Sequence, residues 1–194
     1  MTKQEDVTCS LDVISHSEAQ TQRLGVRLGE LMRGGELILL NGQLGTGKTT
    51  FTQGLAQGLG ITDVISSPTF TLLKEYAGQP LAAQTGNGGG HASGIGNTGK
   101  TRKVGPALYH FDLYRLDNPE EIIDLGFEDY FYGSGVCVVE WADKADAFWP
   151  FDCLRVRLKM LSETKRGLLF TATGARYCDL LRQFQKNTYV TTGS

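Results

Sequence analysis

Apolar positions along this chain recur in two rhythms, and their alternation predicts alternating strands and helices. Val7 to Ile14 alternates loosely and predicts a first strand. Ser17-Glu-Ala-Gln20 then reads as a capping box, with Gln20 able to reach back to the Ser17 backbone. Leu24, Leu28 and Leu31 continue one apolar helical face, and Gly34-Gly35 ends it. Glu36 to Asn41 is an apolar run of strand length, and Phe51, Leu55 and Leu59 mark a helix over 49–59. Asp63-Val-Ile is short and apolar. Pro68 excludes helix at Ser67, so Phe70 to Tyr76 reads as a strand. Ala107 to Leu116 predicts a strand running into a turn. Asn118-Pro-Glu-Glu121 predicts a helix start, and a short helix follows at Glu128 to Tyr132. Val136 to Glu140 reads as a buried strand. Leu154–Leu161 and Gly167–Thr173 form a hairpin around Glu163 to Arg166, and Ala175 to Gln185 a final amphipathic helix.

The rhythm stops between Gly78 and Pro106. That stretch is rich in glycine and poor in apolar residues, so it cannot bury enough surface to offset its ordering entropy. It predicts a flexible insertion between two partner strands, with a small basic cluster at Lys100, Arg102 and Lys103. The chain has 194 residues, which suits one domain. Its net charge of −2 offers no overall electrostatic footprint for nucleic acid. No stretch approaches the roughly 20 apolar residues that span a bilayer, and the N-terminus is polar without a signal core. The 4 cysteines, Cys9, Cys137, Cys153 and Cys178, match no metal-ligand spacing and read as reduced thiols. A cytoplasmic protein with no membrane association is expected.

The chemistry concentrates at Gly42-Gln-Leu-Gly-Thr-Gly47-Lys48-Thr49, which spells the phosphate-binding P-loop between a predicted strand and a predicted helix. Gly42, Gly45 and Gly47 let backbone N–H groups close on phosphate oxygens; Lys48 can reach the β- and γ-phosphates, and Thr49 can ligate Mg²⁺. A second formal match, Gly94 to Thr101, has no strand before it and no apolar helix after it, and is rejected. Glu140 closes an apolar run in the Walker B manner, which delivers a carboxylate to the sheet edge beside the P-loop; the alternative is a solvent-facing acid. Asp112 is a second strand-end acid, either a Mg²⁺ ligand or a turn-forming residue. Thr69, in Ser66-Ser-Pro-Thr69, lies where GTPase-like proteins place a γ-phosphate switch, or in an ordinary turn. Arg115 serves phosphate charge or a surface ion pair. His110 reads as structural rather than as a base, and Trp141 as a partner or nucleotide contact or as core.

With these pieces in order, the chain resembles the TsaE (YjeE) family of ATPases. The resemblance rests on Gly42 to Thr50, Ser67-Pro-Thr-Phe-Thr-Leu72, Tyr109-His-Phe-Asp-Leu-Tyr-Arg-Leu116 and Val139-Glu-Trp-Ala-Asp143. It covers most of the chain, with two departures: Ala142 stands where the family usually has proline, and the glycine-rich insertion replaces a short connection. The resemblance implies an α/β, P-loop NTPase-like three-layer fold with a mainly parallel central sheet, helices on both faces and antiparallel C-terminal strands. It implies that Gly45 to Thr50 wrap the phosphates of ATP, that Thr49 and Glu140 hold Mg²⁺, that Asp112 acts near the metal, and that Thr69 lies in the switch. Glu18 corresponds to a family position near the nucleotide. It further implies a weak ATPase that supports the TsaB and TsaD proteins in making threonylcarbamoyladenosine beside the tRNA anticodon, without itself transferring the group, and that meets tRNA through that complex. A small-molecule kinase and a nucleotide-dependent switch are the alternatives; the single arginine in the long loop argues against a kinase lid.

Overall fold

Strands and helices alternate largely as the apolar rhythm predicts. The computed structural model describes residues 7–79, 104–124 and 126–189. In chain order come β1 (Thr8–Ser15), α1 (Glu18–Gly29), β2 (Leu37–Asn41), α2 (Lys48–Gly58), β3 (Leu73–Tyr76) and β4 (Leu108–Asp112). They are followed by α3 (Glu121–Asp124), α4 (Glu128–Phe131), β5 (Val136–Glu140), a 3₁₀ segment (Ala142–Phe148), β6 (Leu154–Met160), β7 (Arg166–Thr173) and α5 (Ala175–Tyr189).

The strands form one seven-stranded sheet in the order β1-β7-β6-β2-β5-β4-β3. Its centre, β6-β2-β5-β4, is parallel, and antiparallel pairs close both edges. The central strands are buried on both faces, which explains why β2 and β5 read as unbroken apolar runs. Ile38, Leu40, Val136 and Val138 face a core shared with Leu28, Phe51, Leu55 and Phe184 from α1, α2 and α5. Leu37, Leu39, Cys137 and Val139 face the opposite core, closed by Ile122, Phe127, Phe131 and Trp149. The second layer is thus built from short helical turns, with Phe111 edge-on to Phe127 at 4.4 Å between ring centres. β3 and β4 pair as expected; the stems of the insertion meet through Gly105 N–H donating to the Gln79 carbonyl at 2.9 Å. The rest of the insertion, with its basic cluster and the rejected second P-loop match, lies outside the described residues. All 4 cysteines are free thiols.

Local departures from the expected elements have local causes. Ser17 caps α1 by accepting from Gln20 N–H at 3.1 Å, but the Gln20 side chain reaches past Ser17 to accept from His16 N–H at 2.7 Å. α1 ends at Gly29, before Gly34-Gly35, because Leu31 and Met32 turn back onto the Leu28 and Gly29 carbonyls. β3 begins only at Leu73, since Thr71 and Leu72 N–H groups fold onto the Pro68 carbonyl and Leu72 takes φ +62°. The 3₁₀ segment after β5 carries no apolar period and was not expected.

One contact fixes how the elements meet near the P-loop. α1 and α2 pack backbone to backbone through glycines. A Cβ added at Gly25 would sit 2.2 Å from the Phe51 carbonyl oxygen, and one at Gly54 would sit 1.9 Å from that of Gln22. This approach brings Glu18, at the start of α1, to 3.3 Å from the Thr50 hydroxyl on α2. At an open helix position Gly→Ala would add about 1 kcal/mol. Gly54→Ala instead loses about 2 kcal/mol net by overpacking, measured as a melting temperature lowered by about 4–8 °C.

Candidate functional site

Where β2 ends, the chain turns through three glycines in the left-handed region, Gly42 (φ 151°), Gly45 (φ 77°) and Gly47 (φ 98°), and enters α2. Gly47 is the N-cap and supplies no capping side chain, so the first turn of α2 keeps its positive end directed outward. A cleft of about 480 Å³ lies over that end. Of the residues singled out in the sequence, Glu18, Gly45, Gly47, Lys48, Thr49, Thr50, Thr69, Asp112, Glu140 and Trp141 line it. Gly42 and Thr46 do not; they face a neighbouring cleft with Asn41 and Arg157, and the Thr46 hydroxyl closes the loop onto the Gln43 carbonyl at 2.8 Å.

The sheet register brings the carboxylates together. Asp112 pairs with Glu140 across the parallel β4–β5 ladder, so both project from strand ends onto the α2 face. Both are buried, at 2% exposure each, and a buried carboxylate needs hydrogen-bond donors. Glu140 has one on each oxygen: Thr49 Oγ1 donates to Oε2 at 3.0 Å, and His110 Nε2 lies 2.9 Å from Oε1. A carboxylate only accepts, so the imidazole proton sits on Nε2. His110 Nδ1 is buried without a partner among the described residues. Asp112 takes the turn-forming role, and its second oxygen has a further use. Its Oδ1 accepts from Tyr114 N–H at 2.9 Å as a turn former. Its Oδ2 accepts from Thr69 Oγ1 at 2.7 Å and from Ser67 Oγ, which ties the 66–72 segment to the site.

Lys48 is folded back. Its Nζ donates to the Gly42 and Gln43 carbonyls at 2.6 and 3.0 Å and lies 3.8 Å from the centre of the Trp141 ring. Burial pushes its ammonium below the usual lysine range, against the opposing pull of Glu140, Asp112 and Asp143. Trp141 holds φ +60°, a costly conformation for an aromatic residue, and its ring packs on Tyr114 at 5.0 Å. Arg115 does not line the cleft and lies over the Phe70 ring at 4.1 Å. Ser67, Tyr114 and Arg166 line the cleft without having been singled out. Ser67 shares a motif with Thr69, which was a usable signal; Arg166 comes from β7, and no local pattern points to it.

Thr49, Glu140 and Asp112 offer hard oxygen donors, the set that suits Mg²⁺. Among the described residues no three His, Cys, Asp or Glu side chains converge as a self-sufficient metal site. A cation here would complete its shell with water and phosphate, as Mg²⁺ does at phosphate-binding sites. Asp112→Ala removes the acceptor of two hydroxyls. It is expected to speed amide hydrogen exchange over 67–72 by at least about 10-fold, while the amides of α2 stay unchanged.

The family model described as "Threonylcarbamoyl adenosine biosynthesis protein TsaE" matches residues 15–84 and 97–168. The chain is 36% identical over 168 residues to the tRNA threonylcarbamoyladenosine biosynthesis protein TsaE of Bacillus subtilis (strain 168), covering 87% of this chain and 89% of the relative. It is 35% identical over 155 residues to the protein of that name from Treponema pallidum (strain Nichols), covering 80% and 96%. Its fold is similar to the crystal structure of Bacillus subtilis YdiB, with a TM-score of 0.69 and 30% identity over 94% of this chain and 98% of that one.

Proposed function

The chain belongs to the TsaE family of threonylcarbamoyl adenosine biosynthesis proteins, and from that premise we propose that it is the ATP-binding and ATP-hydrolysing subunit of the machinery that makes threonylcarbamoyladenosine in tRNA. The observation that carries this reading is the convergence of Thr49, Glu140 and Asp112 at the uncapped N-terminus of α2, beside Lys48. The N–H groups of 45–50 and the helix end would cradle the phosphates. Thr49, Glu140 and Asp112 would hold Mg²⁺, which neutralises charge on the phosphate oxygens.

This chain's own residues supply the rest. Lys48 leaves two backbone carbonyls and the Trp141 face to meet phosphate charge. Ser67 and Thr69, tied to Asp112, couple the 66–72 segment to whatever alters that carboxylate. Glu18 reaches Thr50 from α1 and borders the nucleotide side of the cleft. In this reading the chain is a weak ATPase that does not itself transfer the threonylcarbamoyl group. It works in the cytoplasm with TsaB and TsaD, and the net charge of −2 favours meeting tRNA through those partners. No helix among the described residues is long and apolar enough to cross a membrane.

The test is ATP hydrolysis by the purified chain, alone and with TsaB, TsaD and tRNA. Stimulation by the complex is expected, with Lys48→Ala lowering the stimulated rate by at least about 100-fold. Hydrolysis indifferent to the complex, or ATP-dependent phosphorylation of a metabolite, would overturn the proposal. Nucleotide binding is also expected to change the emission of Trp141, because Lys48 leaves its ring; Trp141→Phe should lose that change while buried Trp149 still emits.

A further inference from the structure

We propose that His110 is a positioning residue for the cation site: it tethers one oxygen of Glu140 so that the other stays aimed at Thr49 and the divalent cation. The inference rests on the nucleotide-binding reading of the cleft and assigns a role within it. His110 is fully buried in β4, flanked by the apolar Phe111 and paired in register with Val138. A residue placed there only to pack would be apolar, since burying an imidazole is costly unless it is hydrogen-bonded. Its Nε2 meets Glu140 Oε1 at 2.9 Å, and Glu140 Oε2 meets Thr49 Oγ1 at 3.0 Å.

The two contacts fix the carboxylate plane at both ends. A carboxylate held only by Thr49 would be free to rotate about its last torsion. The choice of residue type is specific. Through Nε2, His110 donates a single hydrogen bond to Oε1. A lysine or arginine would also hold Oε1, but it would neutralise the carboxylate and repel the cation. His110 itself does not line the cleft, so it acts through Glu140.

The test compares His110→Leu, which keeps bulk without a donor, with His110→Gln, whose amide N–H can take the place of Nε2–H. Mn²⁺ binding in the presence of ADP is followed by electron paramagnetic resonance, beside ADP affinity without divalent cation and thermal melting. His110→Leu is expected to weaken Mn²⁺ binding by about 10-fold or more, with cation-free ADP affinity unchanged. His110→Gln is expected to restore most of the loss. Should His110→Leu fail to fold, His110→Asn replaces it: its amide is too short to reach Oε1, so it must bind Mn²⁺ more weakly than His110→Gln. Equal Mn²⁺ affinity in all folded variants and the wild type makes His110 a packing residue and overturns the tether alone. Equal impairment of the glutamine and donor-less variants at equal melting temperature does the same. Wild-type ADP binding that ignores divalent cation altogether overturns the cation site, and the tether with it.

Discussion

The cleft depends on the burial of one carboxylate. Glu140 sits at the end of a strand covered on both faces, where an ionised acid is tolerated only if both oxygens are met. The sheet supplies His110 from the neighbouring strand, and the P-loop helix supplies Thr49. Meeting the carboxylate therefore fastens the first turn of α2 to the end of β5. The pleat of β4 and β5 then decides what else arrives: Asp112 lies level with Glu140, and its second oxygen collects the hydroxyls of Ser67 and Thr69. Sheet, helix end and the 66–72 segment meet because each contributes donors to two buried acids.

The opposite charge is handled with equal economy. Lys48 is buried, and its ammonium is met by two carbonyls of its own loop and by the face of Trp141. Trp141 can lie there only because the backbone turns sharply after β5, at φ +60°, and the segment behind it is anchored by Trp149 Nε1–H donating to the Ala142 carbonyl at 2.7 Å. Ala142 begins this 3₁₀ segment. Backbone strain and cation–π contact occur at the same residue, Trp141.

Much of this was legible one element at a time. β5 was read with its observed bounds, and α2 within one residue, since a buried parallel strand and a one-sided helix leave strong periodic signals. The P-loop, Glu140, Asp112 and Thr69 each carried a local pattern, and they lie around one cleft. Misreadings occurred where a tertiary contact overrides local pattern. Leu72 has strand propensity, yet its left-handed backbone shortens β3. The sequence marks His110 as structural rather than as a base, but its partner lies 30 residues away in sequence, outside any local pattern. Arg115, read as serving either phosphate charge or a surface ion pair, lies over Phe70.

By itself the sequence determined the order of strands and helices, the glycine loop that must turn at the mouth of a helix, and the family to which the motifs belong. Each of these is written in residues close along the chain, where periodicity and backbone freedom act directly. Only the tertiary structure decided that Asp112 and Glu140 stand side by side, that α1 approaches α2 closely enough to bring Glu18 to Thr50, that Gly42 and Thr46 face a different cleft, and that Lys48 rests on Trp141. Strand register and helix crossing bring together residues far apart in the chain, and they are set by burial and hydrogen bonding summed over the whole fold, which no local window contains.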